Sequence, residues 1–249
     1  MCSSNIHLIK KQTYVKKKGE AQRSFKMKLL LLLVIMAEVS AKVEDLSGKM
    51  FTFPQQTNTA HVRLNPTKQG YNAVTVCHRS FTDLKRDHTI FSLATPSQAN
   101  SFLIFWHAGR RQIQPHVREV RVEYGGWDYK LNNWHSICTT WDSEKGLVQI
   151  WVDGLPSFKK FATSGSITGI IKIILGQDQD THGGGFDINQ SFVGMMTDVH
   201  MWDYTLSACE IQNYMGEMNF TPGNVLNWSK LDYEIIGNVL TEKKVEVCH

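Results

Sequence analysis

Motifs that mark several common catalytic and metal chemistries are missing from this sequence. It has no C-x-x-C pair, no H-E-x-x-H pair and no D-x-D-x-D-G calcium loop, which argues against a structural zinc site, a zinc protease and an EF-hand. His182 to Gly185 read H-G-G-G, as in the oxyanion hole of some esterases. That chemistry also needs a G-x-S-x-G nucleophile elbow, which is missing. We therefore expect a protein that is not an enzyme.

No apolar run is long enough to span a bilayer, which takes about 20 residues. The apolar run at Leu29–Ala37 has nine. Lys26 and Lys28 precede this run, and the small residues of Val39-Ser40-Ala41 follow it. A basic start, a short apolar stretch and a small-residue exit predict a secretory signal peptide.

These features predict three segments. Residues 1–26 are an upstream extension absent from the mature protein, 27–41 are the signal peptide with cleavage after Ala41, and 42–249 form a single domain. The protein is then secreted and extracellular. Residues 1–41 hold eight of the 27 Lys and Arg and two of the 23 Asp and Glu, so the rest has 19 basic against 21 acidic side chains. No basic domain remains that would indicate nucleic-acid binding.

The cysteines fit an extracellular protein. Cys2 lies in the discarded segment, and Cys77, Cys138, Cys209 and Cys248 remain. Disulfides are expected in an oxidising compartment. Four cysteines can pair in three ways, and spacing alone does not choose among them.

Short apolar or alternating segments separated by turns predict an all-β sandwich or barrel. Asp153-Gly154 predicts a tight turn. One helix is expected to begin at Ser207, with Glu210 completing a capping box, and to end at Gly216. The predicted strands are Ala73–Arg79, Ser101–Trp106, Val117–Tyr124, Ser136–Trp141, Leu147–Val152, Ile170–Leu175 and Phe192–Trp202.

The segment from Leu175 to Gln190 is rich in oxygen ligands and glycine. Asp178, Asp180 and Asp187 fall within ten positions, near two side-chain amides and the glycines at 183–185. Calcium takes six to eight oxygens from such groups. This composition is compatible with a calcium site, although a solvated polar loop would look the same.

Several motifs together resemble the pentraxin family. Ser136–Ser143 is similar to the family signature His-x-Cys-x-Ser/Thr-Trp-x-Ser/Thr, with Ser136 replacing the histidine. Other pentraxin-like motifs occur in the same order, at Asp45–Pro54, Leu103–Trp106, Ile174–Asp180, Met201–Asp203 and Asn224–Trp228.

This resemblance implies an antiparallel jelly-roll β-sandwich of the lectin-like or laminin G-like type with one short α-helix. It also implies a disulfide between Cys77 and Cys138, a pentamer, and two Ca²⁺ per subunit on the face opposite the helix. We further predict that Cys209 and Cys248 form a second disulfide, within one subunit or between two. The expected calcium ligands are Asn100, Asp178, the backbone carbonyl of Gln179, Asp180, Asp187 and Gln190.

Two of the calcium-binding positions also depart from the family pattern. Ala99 stands where an aspartate normally precedes Asn100, and Asp187 replaces a common glutamate. Because calcium affinity follows the number of charged ligands, we expect the site that lacks the aspartate to be weakened.

The resemblance also implies ligands and partners. Phosphocholine, phosphoethanolamine or carbohydrate on microbial or damaged-cell surfaces would dock onto the calcium ions. Phe105 would form an apolar wall and Glu119 would face the quaternary ammonium. A complement recognition protein would dock on the helix face, at Asp153 and Tyr214, in innate immunity.

Two alternative functions remain open. A jelly-roll glycoside hydrolase would need paired carboxylates across a cleft, and no E-x-D-x-x-E-like run is present. A calcium-independent structural or adhesion protein on the same fold is favoured by Ala99.

Overall fold

A computed structural model describes residues 42–244. These residues form seventeen strands, three short 3-10 helices and one α-helix, α1, at Ala208–Met215. The 3-10 helices are Ala108–Arg110, Ile188–Gln190 and Trp228–Lys230. The strands are β1 Lys42–Glu44, β2 Lys49–Phe53, β3 His61–Leu64, β4 Ala73–Phe81, β5 His88–Thr95, β6 Gln98–His107, β7 Gln112–Val117, β8 Val120–Arg121, β9 Tyr124–Gly125, β10 Trp134–Asp142, β11 Leu147–Val152, β12 Leu155–Pro156, β13 Lys160–Phe161, β14 Lys172–Leu175, β15 Gly194–Trp202, β16 Leu231–Ile236 and β17 Leu240–Lys243.

The strands form two antiparallel sheets. The nine-stranded sheet has the order β1-β16-β3-β14-β5-β6-β7-β8, with β9 also pairing with β7. The eight-stranded sheet has the order β12-β11-β10-β4-β15-β2-β17, with β13 also pairing with β11. The predicted all-β sandwich with one helix is confirmed.

The core lies between the sheets because side chains alternate in direction along each strand. In β6, Phe102, Ile104 and Trp106 point into the main apolar cluster. Leu103 and Phe105 are also buried but lie outside that cluster, so they occupy the outer face of the nine-stranded sheet. This explains why residues 102–106 of β6 read as an uninterrupted apolar run.

The helix covers the outer face of the eight-stranded sheet. Its residues Ile211 and Tyr214 pack with two tryptophans around the disulfide-bonded cysteines of that sheet. The Ser207 hydroxyl accepts from the Glu210 N–H at 3.3 Å, as predicted for a helix cap. The Glu210 carboxylate does not close the predicted capping box, however, and accepts instead from the Thr221 N–H at 3.0 Å.

One predicted strand is wrong. Val117–Tyr124 is interrupted, because Arg118 and Glu119 adopt φ of 46° and 70° and turn the chain so that Val120 pairs with Val117. Alternating apolar and charged residues continue across the turn, which conceals it in the sequence. The predicted turn at Asp153-Gly154 is confirmed, with φ of 49° and 86°.

Candidate metal centre

The polar loop 176–190 is anchored to the outer face of the nine-stranded sheet by the side chain of Gln179. This side chain is fully buried. Its Nε2 donates to the carbonyl of Ser92 at 3.0 Å and to that of Lys172 at 3.1 Å, while its Oε1 accepts from the Gly183 N–H at 2.9 Å. The amide is fully used for anchoring, which leaves the backbone carbonyl of Gln179 as the oxygen that could reach an ion.

Glycines let the loop fold back on itself. Gly185 has φ of +75°, and a Cβ added there would stand 3.0 Å from the Asp180 Cβ. Thr181 and Gly184 exchange backbone hydrogen bonds at 3.1 and 3.0 Å. A residue with a side chain at 185 would therefore push the chain away from Asp180 and open the loop.

Four side-chain oxygens around this loop are buried and accept no hydrogen bond, and one of them is Gln177 Oε1. The other three are Asn100 Oδ1, Asp178 Oδ1 and Gln190 Oε1, and each belongs to a predicted calcium ligand. Leaving such a group unsatisfied costs about 1–3 kcal/mol. A hard cation takes oxygens of this kind, so these residues fit calcium.

The carboxylates here oppose one another's ionisation. Burial, reinforced by the charges of Asp180 and Glu119, raises the pKa of Asp178 to about 7. Burial and the charge of Asp187 raise the pKa of Asp180. A bound cation would relieve this repulsion. Within residues 42–244, no three His, Cys, Asp or Glu side chains form a group that could hold a metal, so amide and carbonyl oxygens must complete any coordination shell.

The second half of the loop is held by Arg86, a residue that no sequence motif singles out. Its guanidinium Nη1 donates to the carbonyls of Asn189 and Ser191 at 2.9 and 2.6 Å. Asp187 Oδ1 accepts from the Asn189 N–H at 2.9 Å and so begins the 3-10 helix that carries Gln190. One Asp187 oxygen is thus used locally, and the other remains for an ion.

Glu119 lies against Asn100. Its Oε1 accepts from the Asn100 backbone N–H at 2.9 Å, and its Oε2 accepts from Asn100 Nδ2 at 3.1 Å. Each oxygen thus accepts one hydrogen bond from Asn100, but a carboxylate has about four lone-pair sites, and Glu119 is exposed. These bonds do not prevent its charge from facing an ammonium group, so the ammonium-binding role stays a prediction.

Phe105 lies five residues beyond Asn100 on β6, roughly 16 Å along an extended strand. It is 8% exposed, between Thr89 and Gln114 on the neighbouring strands. It is therefore on the same outer face as the loop, but only a small part of its ring is accessible to a ligand.

The predicted helix-face residues differ in accessibility. Asp153 is exposed, and it accepts from the Ser136 N–H and pairs with His135 Nδ1, both at 2.7 Å. Burial opposes protonation of His135, but the hydrogen bonds to Asp153 and to the Lys130 carbonyl, together with the nearby negative charges, outweigh it and raise the pKa of that imidazole. Tyr214 is buried, and its hydroxyl donates to the Asp198 carbonyl at 2.7 Å. Of the two predicted residues, only Asp153 has a side chain that a partner protein could reach.

The Cys77–Cys138 disulfide is formed between paired residues of β4 and β10. Cys209 is exposed on α1. Cys248 lies outside the described residues, as do the expected signal peptide and upstream extension, so the second disulfide stays a prediction. In the part of the chain that the structure covers, no helix is long and apolar enough to cross a membrane.

Comparison with known proteins establishes the family. A model described as the Pentaxin family matches residues 49–243. The chain belongs to the pentraxin family. It is 39% identical to C-reactive protein of Cavia porcellus over 224 residues, which cover 88% of this chain and 98% of the relative. It is 36% identical to serum amyloid P-component of Bos taurus over 222 residues, covering 88% and 97%.

A solved pentraxin supports the fold. The heptameric SAP-like pentraxin of Limulus polyphemus superimposes with a TM-score of 0.70 at 23% identity, covering 80% of this chain and 96% of that one. Pentraxin membership supports a recognition protein as opposed to an enzyme. It also fits the arrangement seen here, with the helix on one outer face of the sandwich and the polar loop on the other.

Proposed function

We propose that this pentraxin is a secreted, calcium-dependent pattern-recognition protein that binds phosphocholine or a related phosphorylated or carbohydrate ligand. The observation that carries this proposal is the set of three buried, unpartnered oxygens on Asn100, Asp178 and Gln190. Each is an acceptor without a donor, and all three belong to the segments that the family resemblance implicates in calcium binding.

Two calcium ions are proposed for each subunit. Asn100, Asp178, the Gln179 carbonyl and Asp180 would hold the first ion, and Asp187 and Gln190 would complete the second. The calcium ions would attract the phosphate or hydroxyl oxygens of a ligand, and the accessible edge of Phe105 would contact its apolar part.

Self-association would turn weak single sites into tight binding. Leu155, Phe158 and Phe161 are 64–71% exposed at the β12–β13 edge of the eight-stranded sheet. An exposed apolar patch on a sheet edge is typical of an interaction surface, and we propose that it joins copies of this chain into a pentamer. Simultaneous engagement of a repetitive surface can raise avidity about 10²–10⁴-fold.

Complement engagement is proposed for the helix face. The Gly154 N–H donates to Met215 Sδ at 3.1 Å, which fixes the Asp153 turn beside the end of α1. The exposed Asp153 would be the charged contact for a complement recognition protein in innate immunity.

Retention on phosphocholine-agarose tests the proposal. The secreted chain, loaded in calcium, should be retained and should elute with EDTA. Flow-through in calcium, with no calcium detected by titration, would overturn calcium dependence and favour a calcium-independent adhesion protein, for which Ala99 is the supporting observation.

A further inference from the structure

The start of β6 lacks the carboxylate that the family pattern puts there. Ala99 contributes only a methyl group, so Asn100 must serve the proposed calcium site without an acidic neighbour in sequence. A carboxylate does reach Asn100 across the sheet, from Glu119 in the turn between β7 and β8.

This turn is fastened to β6 at several points. The Arg118 N–H donates to the Ser101 carbonyl and the Glu119 N–H to the Asn100 carbonyl, both at 3.0 Å. The guanidinium of Arg118 also donates to the Ser164 carbonyl. Arg118 and Glu119 both have positive φ, a backbone conformation that non-glycine residues keep only where surrounding contacts hold it. Glu119 is therefore held in place beside Asn100.

The hydrogen bonds to Glu119 determine how Asn100 presents its amide. An asparagine side chain offers one acceptor oxygen and one donor nitrogen group. Glu119 takes up the donor group at 3.1 Å, together with the backbone N–H at 2.9 Å. The remaining Oδ1 is buried without a partner.

A second unpartnered oxygen belongs to the ligand set proposed for the same ion. Asp178 is 5% exposed, and its Oδ1 accepts no hydrogen bond. The charge of Glu119 acts on the carboxyl group of Asp178, and its hydrogen bonds hold Glu119 beside Asn100. The negative charge missing at position 99 is therefore present in the same neighbourhood, supplied by a different part of the chain.

We propose that Glu119 compensates for Ala99: it orients the Asn100 amide toward the calcium ion and restores the missing negative charge. Glu119 is thus a positioning residue for calcium, and the Ala99 site is not weakened as the sequence suggested. This inference rests on the proposed calcium function.

Calcium titration of four proteins tests it: the wild type, Glu119→Gln, Ala99→Asp and the double variant. Glu119→Gln should weaken one calcium site about tenfold, because affinity follows ligand charge and site rigidity. Ala99→Asp should restore calcium affinity in the double variant. Alone, Ala99→Asp should raise calcium affinity much less, because Glu119 already supplies the charge in that protein.

Glu123→Gln is the matched control. Glu123 lies a few residues beyond Glu119 and pairs with Arg110 and Arg121 at 2.8 and 3.2 Å. Replacing it by glutamine therefore removes the same charge without touching the hydrogen bonds to Asn100. Calcium affinity of this variant should stay within about twofold of the wild type, because exposed ion pairs contribute little.

The outcomes separate the two proposals. A wild type that binds no calcium overturns the proposed function itself. If the wild type binds calcium and Glu119→Gln binds it with the same affinity, only the proposed role of Glu119 is overturned. That role is also overturned if the double variant does not regain calcium affinity, because a carboxylate at position 99 should replace the missing charge. Melting temperatures in EDTA should be similar for the wild type and Glu119→Gln, which distinguishes lost calcium binding from a folding defect.

Discussion

The charge of Asp180 acts on the buried carboxyl group of Asp178 and adds to the burial that raises the pKa of Asp178 to about 7. The calcium-free protein therefore keeps a proton on Asp178 that the unfolded chain gives up near its ordinary pKa of 3.8. The folded state binds more protons between these two values, so stability falls as the pH rises from about 4 to about 7.

Replacing Asp178 by Asn should remove this pH dependence. In EDTA, Asp178→Asn should be more stable than the wild type at pH 8, and the difference should shrink at pH 5. Urea denaturation at both pH values measures it, with the exposed Asp128→Asn as control. Adding calcium should stabilise the wild type more than it stabilises Asp178→Asn. An equal difference at pH 5 and pH 8 would contradict the prediction.

Replacing Gln179 by Leu should detach the polar loop from the sheet. The variant keeps the backbone carbonyl but loses the bonds from Nε2 to Ser92 and Lys172. Stability in EDTA should fall by about 1–3 kcal/mol, because buried partners are left unsatisfied, and calcium affinity should fall as well. Unchanged calcium affinity would mean that the loop holds its shape without this anchor.

His78 should make the protein sensitive to acid. It is 1% exposed, pairs across the sheet with the core residue Ile137, and neither ring nitrogen has a partner among the described residues. Burial lowers its pKa to about 3. The unfolded chain takes up a proton first, so stability is lost as the pH falls below about 6.5.

Replacing His78 by Leu should remove this contribution. The stability difference between pH 7.5 and pH 5 should be smaller in the variant than in the wild type by about 2 kcal/mol. Thermal or urea denaturation at the two pH values measures it. Other buried histidines, including His88 and His200, shift in the same direction, so some acid sensitivity should remain. A variant that loses as much stability in acid as the wild type would show that His78 does not contribute.

Replacing Phe158 and Phe161 by Ser should weaken self-association. Both side chains are more than 60% exposed, so the subunit should keep its fold and its melting temperature. Sedimentation should show smaller assemblies, and retention on a dense phosphocholine surface should fall more than affinity for the free ligand. An unchanged assembly would place the subunit interface elsewhere. Ile170→Ser, at another exposed apolar position, is the control.

Local pattern was enough to predict most elements of the fold. Leu147–Val152 was predicted with its observed bounds, and the helix begins after Ser207 as expected. The strand expected at Val117–Tyr124 was wrong because only the φ values of Arg118 and Glu119 reveal the turn. Neither residue is of a type that marks turns, and contacts with distant parts of the chain hold them there.

Alternation of apolar residues predicted an all-β sandwich or barrel, and the composition of the polar loop predicted its oxygen ligands, because both depend on local sequence. The family and its two antiparallel sheets were predicted from the resemblance of several motifs. The contacts between the side chains of this site were decided only by the tertiary structure. Folding brought Glu119 to Asn100, used the Gln179 amide as an anchor and fastened the loop with Arg86. Such contacts join residues far apart in the chain, and only the packing of the sheets sets the distances between them.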